Sequence, residues 1–329
     1  MKQALLYEKL ENNKVRCNLC AHRCLILSDN RGICGVRENK DGKLYSLVYG
    51  KAVATGVDPI EKKPFFHFLP GTYSFSVATV GCNFQCKNCQ NWQISQGPRL
   101  NKKIQGFDLS PEEIVKQALD NNCFSISYTY TEPTIFLEYA LETMKLAKEK
   151  GLRNTWVSNG FMTGEALNLI TPYLDAINVD LKSFEEKTYQ TYFGGRLAPV
   201  LENLKRIKEI SRFRSGQVWL EVTTLIVPTV NDSEKELKKI AKFIKNKLGS
   251  EVPWHVSKFS PEISWQMQDL SPTPAETIQK ARDIGLGVGL KYVYTGNLWD
   301  DETESTYCPS CGALAIKRRG FNVERLDKD

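Results

Sequence analysis

Residues 80–92 read VGCNFQCKNCQNW and place three thiols, Cys82, Cys86 and Cys89, directly after a short apolar run. That run, SFSVATVG at 74–81, has the β-branched and apolar composition of a buried strand. In parallel α/β folds the catalytic groups lie at the carboxyl ends of the strands, so we expect these thiols at the mouth of such a sheet. Three thiolates leave one iron of a four-iron cluster without a protein ligand, and an open iron can bind a substrate.

A zinc ion is the competing occupant of this loop, and it would need a fourth ligand. The nearest histidine before the loop is His67, fifteen residues ahead of Cys82. Inert thiols are a poorer explanation, because three cysteines at fixed spacing in a loop rarely arise for packing alone. We therefore interpret the loop as the ligand set of an iron–sulfur cluster.

Apolar runs alternate with amphipathic segments on the carboxyl side of this loop, which predicts an α/β fold with a parallel sheet and helical crossovers. One crossover is expected after Ser110, which is placed to cap a helix that begins at Pro111. Each strand-plus-helix unit takes about 25 to 45 residues, which favours a partial (β/α)6-type barrel over a β-sandwich. The predicted strands are 74–81, 124–130, 153–159, 176–182, 218–228 and 254–260, with 291–297 as one further candidate.

Two flanking segments do not follow this rhythm and divide the chain into three predicted parts. Residues 1–72 are expected to form a Cys-rich metal-binding extension with a β-hairpin, residues 73–298 the barrel, and residues 299–329 a C-terminal extension with a CPSC knuckle. The sequence has no internal repeat and no low-complexity linker. We therefore expect both extensions to pack on the barrel.

The bulk composition is that of an ordinary globular chain, with 41% hydrophobic and 25% charged residues among 329. The formal net charge of +6 is spread along the chain, so it favours neither a nucleic-acid partner nor a membrane surface. No apolar run approaches the roughly 18 residues that span a bilayer, and the N-terminus is too polar for a signal peptide. We expect a cytoplasmic protein, and therefore reduced thiols instead of disulfides.

Four thiols in the N-terminal segment are enough for a zinc site or for a second iron–sulfur cluster. They are Cys17, Cys20, Cys24 and Cys34. Zinc is the more economical assignment, because it would fasten an extension that is expected to have little core of its own. A cluster would instead relay electrons to the first one, and the spacing leaves both metals open.

Cys308 and Cys311 form one zinc-knuckle turn in YCPSCG, which is half of a metal site. The pair could join Cys17 and Cys20 in a site across the chain termini, or act as a redox dithiol near the active site. Cys123 stands alone at the entry to an apolar strand, where a buried structural thiol is expected.

The sequence resembles the radical S-adenosylmethionine (SAM) enzymes of the AmmeMemoRadiSam system, relatives of the pyruvate formate-lyase activating enzymes. The resemblance covers essentially the whole chain and rests on CNLCAHRC, GICGVREN, ATVGCNFQCKNCQNWQIS, YTYTEPT, NVDLK, PWHVSKFSP, YVYTGN and YCPSCG. It implies a 4Fe–4S cluster whose fourth iron binds SAM. One electron from the reduced cluster would cleave SAM to a 5′-deoxyadenosyl radical, which takes hydrogen from a substrate that the sequence does not identify.

The resemblance also gives roles to polar residues at the ends of the other strands. Glu132 in TYTEPT would accept hydrogen bonds from the SAM ammonium, although TEP also suits a simple helix cap. Asn159 and Asp180 would lie near SAM or the substrate, and Lys182 would meet the SAM carboxylate. Because Asp180 and Lys182 share one face of a strand, a plain ion pair is an equal alternative. His255 would touch the ribose, unless it is an ordinary structural histidine.

The preferred hypothesis from the sequence is a radical SAM oxidoreductase that takes electrons from a donor such as flavodoxin or ferredoxin. The resemblance suggests Memo-like and AMMECR-type proteins as partners. The alternative within enzymes is a glycyl-radical enzyme activating enzyme, which would take hydrogen from a glycine of a large partner protein. An alternative of another class is a non-catalytic zinc-knuckle module that binds RNA or protein, for which basic and aromatic residues near the cysteines are few.

Overall fold

The computed structural model of the protein describes residues 1–213, 218–298 and 300–327. Trp299, where the predicted C-terminal extension begins, and residues 328–329, where it ends, lie outside the described part of the chain. Every predicted site residue lies within it.

Eight short strands make up the N-terminal segment. They are β1 (Lys2–Gln3), β2 (Tyr7–Lys9), β3 (Val15–Cys17), β4 (Leu25–Ile26), β5 (Arg37–Lys40), β6 (Lys43–Ser46), β7 (Lys51–Ala52) and β8 (Ala54–Pro59). One antiparallel sheet has the order β1-β6-β5 and a second has the order β2-β3-β4. The hairpin of β5 and β6 and the strands around it therefore present the N-terminal thiols from a small, folded β-structure.

A parallel sheet forms the centre of the molecule. The strands that follow in the chain are β9 (Tyr73–Ala78), β10 (Phe107–Asp108), β11 (Ser125–Tyr128), β12 (Arg153–Ser158), β13 (Ala176–Asp180), β14 (Trp219–Ile226), β15 (Trp254–Lys258) and β16 (Val293–Gly296). The central sheet has the order β16-β15-β14-β13-β12-β11-β9-β8, while β10 pairs with β7. All strands from β9 to β16 in this sheet run parallel, which confirms the predicted partial barrel and makes 291–297 its last strand.

Strand β8 joins the central sheet, although it lies in the segment 1–72 that was predicted to form a separate extension. It pairs antiparallel with β9 from Ala54 opposite Ala78 to Pro59 opposite Tyr73. The boundary predicted at residue 72 therefore falls behind a strand that already belongs to the barrel sheet.

Helices cover the crossovers between the parallel strands, and the last short helix follows β16. They are α1 (Trp92–Asn101), α2 (Pro111–Asp120), α3 (Leu137–Glu149), α4 (Gly164–Ile170), α5 (Glu186–Thr188), α6 (Leu197–Phe213), α7 (Glu234–Phe243), α8 (Ala275–Val288) and α9 (Asp301–Glu304). Short 3-10 turns lie at Ile60–Lys62, Pro133–Phe136 and Pro261–Ile263, and π-helical turns at Tyr189–Phe193 and Ile244–Leu248. Ser110 caps α2 as predicted, because its Oγ accepts a hydrogen bond from the backbone N–H of Glu113 at 3.2 Å.

None of the helices in residues 1–213, 218–298 and 300–327 has both the length and the apolar character needed to cross a bilayer.

The N-terminal segment shares the hydrophobic core of the barrel instead of forming a separate core of its own. Val15, Val36 and Leu44 are fully buried and belong to one hydrophobic cluster with Ile126 and Val179 of the central sheet. Backbone hydrogen bonds fasten the same segment to the loop after β12, such as Ala21 N–H to Phe161 O at 2.9 Å. This burial fixes the N-terminal thiols against the barrel by ordinary packing.

The C-terminal extension packs against β16 at one edge of the central sheet, where Tyr294 Oη lies 2.8 Å from Thr306 Oγ1. Its strands β17 (Thr306–Tyr307), β18 (Leu314–Arg319) and β19 (Asn322–Arg325) form one antiparallel sheet. Arg318 is fully buried and donates hydrogen bonds to the carbonyl of Phe66 and, at 2.7 Å, to Thr306 Oγ1. A buried arginine anchored in this way holds the extension on the barrel, as predicted.

Candidate active site

The loop after β9 carries three half-buried thiols to the carboxyl ends of the parallel strands. They line a cavity of about 550 Å³. Two backbone bonds to the Tyr189–Phe193 turn fix the loop, from Gln85 N–H to Phe193 O and from Lys87 N–H to Tyr192 O, each at 2.9 Å. Cys82, Cys86 and Cys89 therefore face one shared space from a loop of defined shape.

All eight residues predicted around the cluster and SAM line this cavity. They are Cys82, Cys86, Cys89, Glu132, Asn159, Asp180, Lys182 and His255. They come from five different parallel strands or the loops that follow them, which is the arrangement that a parallel barrel gives to its active site.

Two thiols of the loop, those of Cys82 and Cys86, are costly to ionise without a positive partner. Burial raises the pKa of Cys86 to about 12, although the ammonium of Lys182 acts in the opposite direction. Burial also raises the pKa of Cys82, and the backbone N–H of Phe84 opposes that by donating to its sulfur at 3.4 Å. Metal ions favour thiolates strongly enough to overcome this cost, so the loop suits metal ligation better than free thiol chemistry.

Glu132 is buried and holds the ends of two strands together. Its Oε1 accepts hydrogen bonds from Thr134 N–H at 3.0 Å and from Ser158 Oγ at 2.8 Å, and its Oε2 accepts one from Asn159 N–H at 2.8 Å. It therefore caps the Pro133–Phe136 turn, as the simple alternative predicted, and also faces the cavity. Burial raises the pKa of Glu132 despite these donors, so a cation in the cavity would stabilise its carboxylate.

Asp180 and Lys182 form the ion pair that their spacing allows, with 2.8 Å between Oδ2 and Nζ. Burial alone would lower the pKa of Lys182, but Asp180 and the sulfur of Cys86 raise it above its usual value. Lys182 therefore remains a cation beside the thiol loop. Both residues line the cavity, so the pair offers it one positive and one negative group.

His255 lies in the cavity wall, and its ring contacts Glu221, whose role was not predicted from the sequence. Its Nε2 lies 2.6 Å from Oε2 of Glu221, a fully buried carboxylate on β14. Glu221 also accepts hydrogen bonds from Phe66 N–H and from Trp219 Nε1–H. Burial would raise the pKa of Glu221, but the His255 partner lowers it to about 2. A single glutamate within an apolar strand was the available signal for this contact.

Three buried polar atoms of residues in the cavity wall are without a hydrogen-bond partner among the described residues. They are Glu61 Oε2, Asn88 Oδ1 and Thr223 Oγ1. An unpaired buried oxygen costs about 1 to 3 kcal/mol, so each position favours a ligand that brings hydroxyl or amine donors. SAM carries both kinds of group.

A second group of thiols meets behind the loop. Cys17, Cys20, Cys24 and Cys34 line one small cavity together with Ile26 and Ile135. Within residues 1–213, 218–298 and 300–327, no three or more His, Cys, Asp or Glu side chains are close enough to hold a single metal ion as they stand. The structure thus brings the four N-terminal thiols together, and their metal stays a prediction.

Cys308 and Cys311 lie elsewhere, in the tight turn between β17 and β18. The turn is closed by a backbone bond from Gly312 N–H to Cys308 O at 2.9 Å. Cys311 is exposed, and among the described residues neither thiol lines the cavity that Cys17 and Cys20 share or the larger one. The proposed site across the termini gains no support from this placement. Cys123 is buried, as expected.

Comparison with known proteins places this site in a family. Residues 76–244 match the model of the family described as Radical SAM superfamily. An uncharacterized protein of Methanocaldococcus jannaschii is 44% identical over 100% of this chain and 95% of its own length. The pyruvate formate-lyase-activating enzyme of Clostridium pasteurianum is 23% identical over 61% of this chain and 84% of its own length.

Among solved structures, SuiB of Streptococcus suis bound to S-adenosylmethionine superposes with a TM-score of 0.51 at 12% identity. The match covers 70% of this chain and 52% of that one. At this identity the likeness concerns the fold, and it agrees with the open parallel barrel described above.

Proposed function

Because this chain belongs to the radical SAM superfamily, we propose that it is an oxidoreductase of the AmmeMemoRadiSam type that cleaves SAM reductively to start hydrogen abstraction. Enzymes of this superfamily bind a 4Fe–4S cluster and SAM. The observation that carries the proposal is the convergence of Cys82, Cys86 and Cys89 on a cavity whose wall holds unpaired polar atoms.

The donors of this chain fit both groups. Three thiols ligate three irons of a cubane and leave the fourth iron to the cavity. When bound, the reduced cluster and SAM supply a 5′-deoxyadenosyl radical that abstracts hydrogen. The protein must therefore orient SAM and exclude water and oxygen.

Polar residues of the cavity wall are placed to orient SAM. Glu132 Oε1 accepts three hydrogen bonds, from Thr134 N–H, Thr134 Oγ1 and Ser158 Oγ, whereas Oε2 accepts one described hydrogen bond and so retains capacity for the SAM ammonium. Lys182 is positioned between Asp180 and the thiol loop, where a SAM carboxylate would add a second anionic partner. Asn159 donates from Nδ2 to Asn83 Oδ1 at 2.7 Å and so ties this wall to the cluster loop.

His255 is proposed to bind the ribose with the ring face or nitrogen that Glu221 leaves available. The Glu221 carboxylate fixes the ring through Nε2, and Phe66 packs edge-on against it with 4.8 Å between ring centroids. A histidine held on two sides keeps one orientation, which suits a binding role.

A glycyl-radical enzyme activating enzyme is the second candidate, favoured by the likeness to the Clostridium pasteurianum protein. An activating enzyme would leave a persistent glycyl radical in a large partner, whereas the first candidate would not. The non-catalytic zinc-knuckle module is not supported, since the matched family is one of enzymes. We further propose a cytoplasmic location, flavodoxin or ferredoxin as electron donor, and Memo-like and AMMECR-type proteins as partners.

The test is the formation of 5′-deoxyadenosine by anaerobically reconstituted protein that is reduced in the presence of SAM. We expect wild-type protein and Cys123→Ser each to form 5′-deoxyadenosine and methionine in a one-to-one ratio. Cys86→Ser should form no 5′-deoxyadenosine. Cys123 is a buried thiol outside the site, so it controls for loss of a cysteine as such. Iron-loaded wild-type protein that gives no 5′-deoxyadenosine would contradict the proposal.

A further inference from the structure

The N-terminal thiols lie directly behind the loop that holds Cys82. A Cβ on Gly81 would come within 2.9 Å of the carbonyl oxygen of Cys34, so the two backbones touch at this point. His22, between Cys20 and Cys24, has its Nε2 2.8 Å from Asn83 O. The four N-terminal thiols and the three thiols of the loop after β9 therefore lie next to each other in the fold.

One guanidinium bridges the two groups. Arg99 donates from Nη2 to the carbonyl of Cys82 and from Nε to the carbonyl of Ile33, which precedes Cys34. The same charge lies within electrostatic range of Cys82 and Cys86 on one side and of Cys24 and Cys34 on the other. A shared cation is well placed to stabilise excess negative charge at both sites.

The four N-terminal thiols are shielded from water, and their number is enough to ligate a cluster fully. Cys17, Cys20 and Cys34 are buried, and Cys24 is half-buried. Their cavity is lined by Leu19, Ile26 and Ile135, which keep water away, and by Arg37, a second buried cation. Four thiolates saturate a cluster, so no iron would remain open for SAM here.

A structural zinc ion is not needed to fasten the N-terminal segment to the barrel. The N-terminal segment packs into the barrel core through Val15 and Val36, and its Arg37 forms a buried ion pair with Glu138 of α3. The segment is therefore fastened without a metal. What the four thiols add is a position next to the catalytic loop.

We propose that Cys17, Cys20, Cys24 and Cys34 ligate a second iron–sulfur cluster, which passes single electrons to the cluster at Cys82, Cys86 and Cys89. A donor protein of the flavodoxin or ferredoxin class loses one electron, the N-terminal cluster gains it, and then returns to its oxidised state as the first cluster is reduced. No bond to the thiolates forms or breaks. The electron-transfer role rests on the proposed function, whereas the metal content of the site does not.

The test is the metal content of a chain that lacks the first site. In Cys82→Ser/Cys86→Ser/Cys89→Ser, anaerobic reconstitution should still yield iron and acid-labile sulfide in a one-to-one ratio, without zinc. Its reduced EPR signal should not change when SAM is added, because the cluster is fully ligated. The matched controls, Cys123→Ser and Cys308→Ser/Cys311→Ser, should keep all the iron of the wild type.

Replacing the four N-terminal cysteines with serine should remove about half of the wild-type iron, because the two clusters would contain the same number of irons. If that variant does not fold, the triple variant decides alone. Zinc in the triple variant, or neither metal, would overturn the proposal, and so would an EPR signal that responds to SAM. Each of these outcomes leaves the 5′-deoxyadenosine test of wild-type protein unaffected, so the two proposals fail separately.

Discussion

The pKa of Glu304, a buried carboxyl in the cavity wall, makes the stability of the protein depend on pH. Glu304 lies in the cavity wall, and burial together with the carboxylates of Asp300 and Asp301 raises its pKa to about 7 from an ordinary value of 4.5. The folded protein thus binds a proton at Glu304 more tightly than the unfolded chain does. Stability from this group is complete below about pH 4.5 and is lost as the pH rises through 7.

Glu304→Gln should abolish this loss. At about pH 8 the variant should exceed the wild type in free energy of unfolding by about 1 to 3 kcal/mol, while at about pH 4.5 the difference should be much smaller. Anaerobic urea unfolding of both proteins at the two pH values measures it. Glu302→Gln, on the exposed side of the same helix, removes an equal charge and should show no such dependence. A gain that is the same at both pH values would contradict this account.

Gly81 sets how closely the N-terminal thiols approach the cluster loop. Its φ is +98°, and a Cβ there would lie 2.6 Å from Cγ1 of Val36. Gly81→Ala should therefore lower the free energy of unfolding by about 2 kcal/mol or more and reduce iron loading. Gly97→Ala is the matched control, because nothing lies within 4 Å of a Cβ at this helical position. It should be neutral or stabilising by up to about 1 kcal/mol. Equal stability of the two variants in anaerobic unfolding would refute the close approach.

At the residue scale, the thiols and the strand-end polar residues were predictable because their chemistry is explicit in the sequence. Glu221, Arg37 and Arg99 were not. In a single sequence a charged residue looks the same whether it is exposed or buried with a partner, and these three owe their roles to partners that are distant in the chain.

Among elements, the parallel strands were predictable because strands buried on both faces are continuous apolar runs. Each of them was expected to within three residues of its observed ends, an ordinary error for strand boundaries. Strand β8 was predicted to belong to the N-terminal extension; ATGVDP lacks such a run, and the strand pairs with β9 in the central sheet. Pairing of this kind depends on the register of a neighbour that the local sequence does not encode.

A buried ion pair is one of the contacts between the N-terminal segment and α3. Arg37 donates from Nη1 to Glu138 Oε1 at 3.0 Å, and both side chains are almost fully buried. Arg37→Met alone should lower the free energy of unfolding by about 3 to 5 kcal/mol, because it leaves the Glu138 carboxylate buried without its partner.

The double variant Arg37→Met/Glu138→Met should recover much of that loss, since neither charge then remains. Chemical unfolding of both variants and of the wild type gives the comparison. Lys2→Met, which removes an exposed partner of Glu142, should cost less than about 1 kcal/mol. If Arg37→Met cost no more than Lys2→Met, the buried pair would not hold the segment.

For the whole molecule, the three predicted parts contribute to one cavity. Glu61 and Phe66 come from the segment before β9, Lys182 and His255 from the parallel sheet, and Phe321 from the C-terminal extension. The general form of the barrel and the position of its mouth followed from the sequence. The contribution of both extensions to the cavity could not be predicted from the sequence. It depends on long-range packing, such as the contact of the Arg318 guanidinium with the ring and the carbonyl of Phe66.

The most direct test of the central claim is the EPR spectrum of the reduced, iron-loaded wild-type protein before and after SAM is added. Our account predicts that SAM changes the cluster signal, because it binds the iron that Cys82, Cys86 and Cys89 leave open. The change should be lost in Cys82→Ser/Cys86→Ser/Cys89→Ser. A wild-type spectrum that stays the same at saturating SAM would contradict the account.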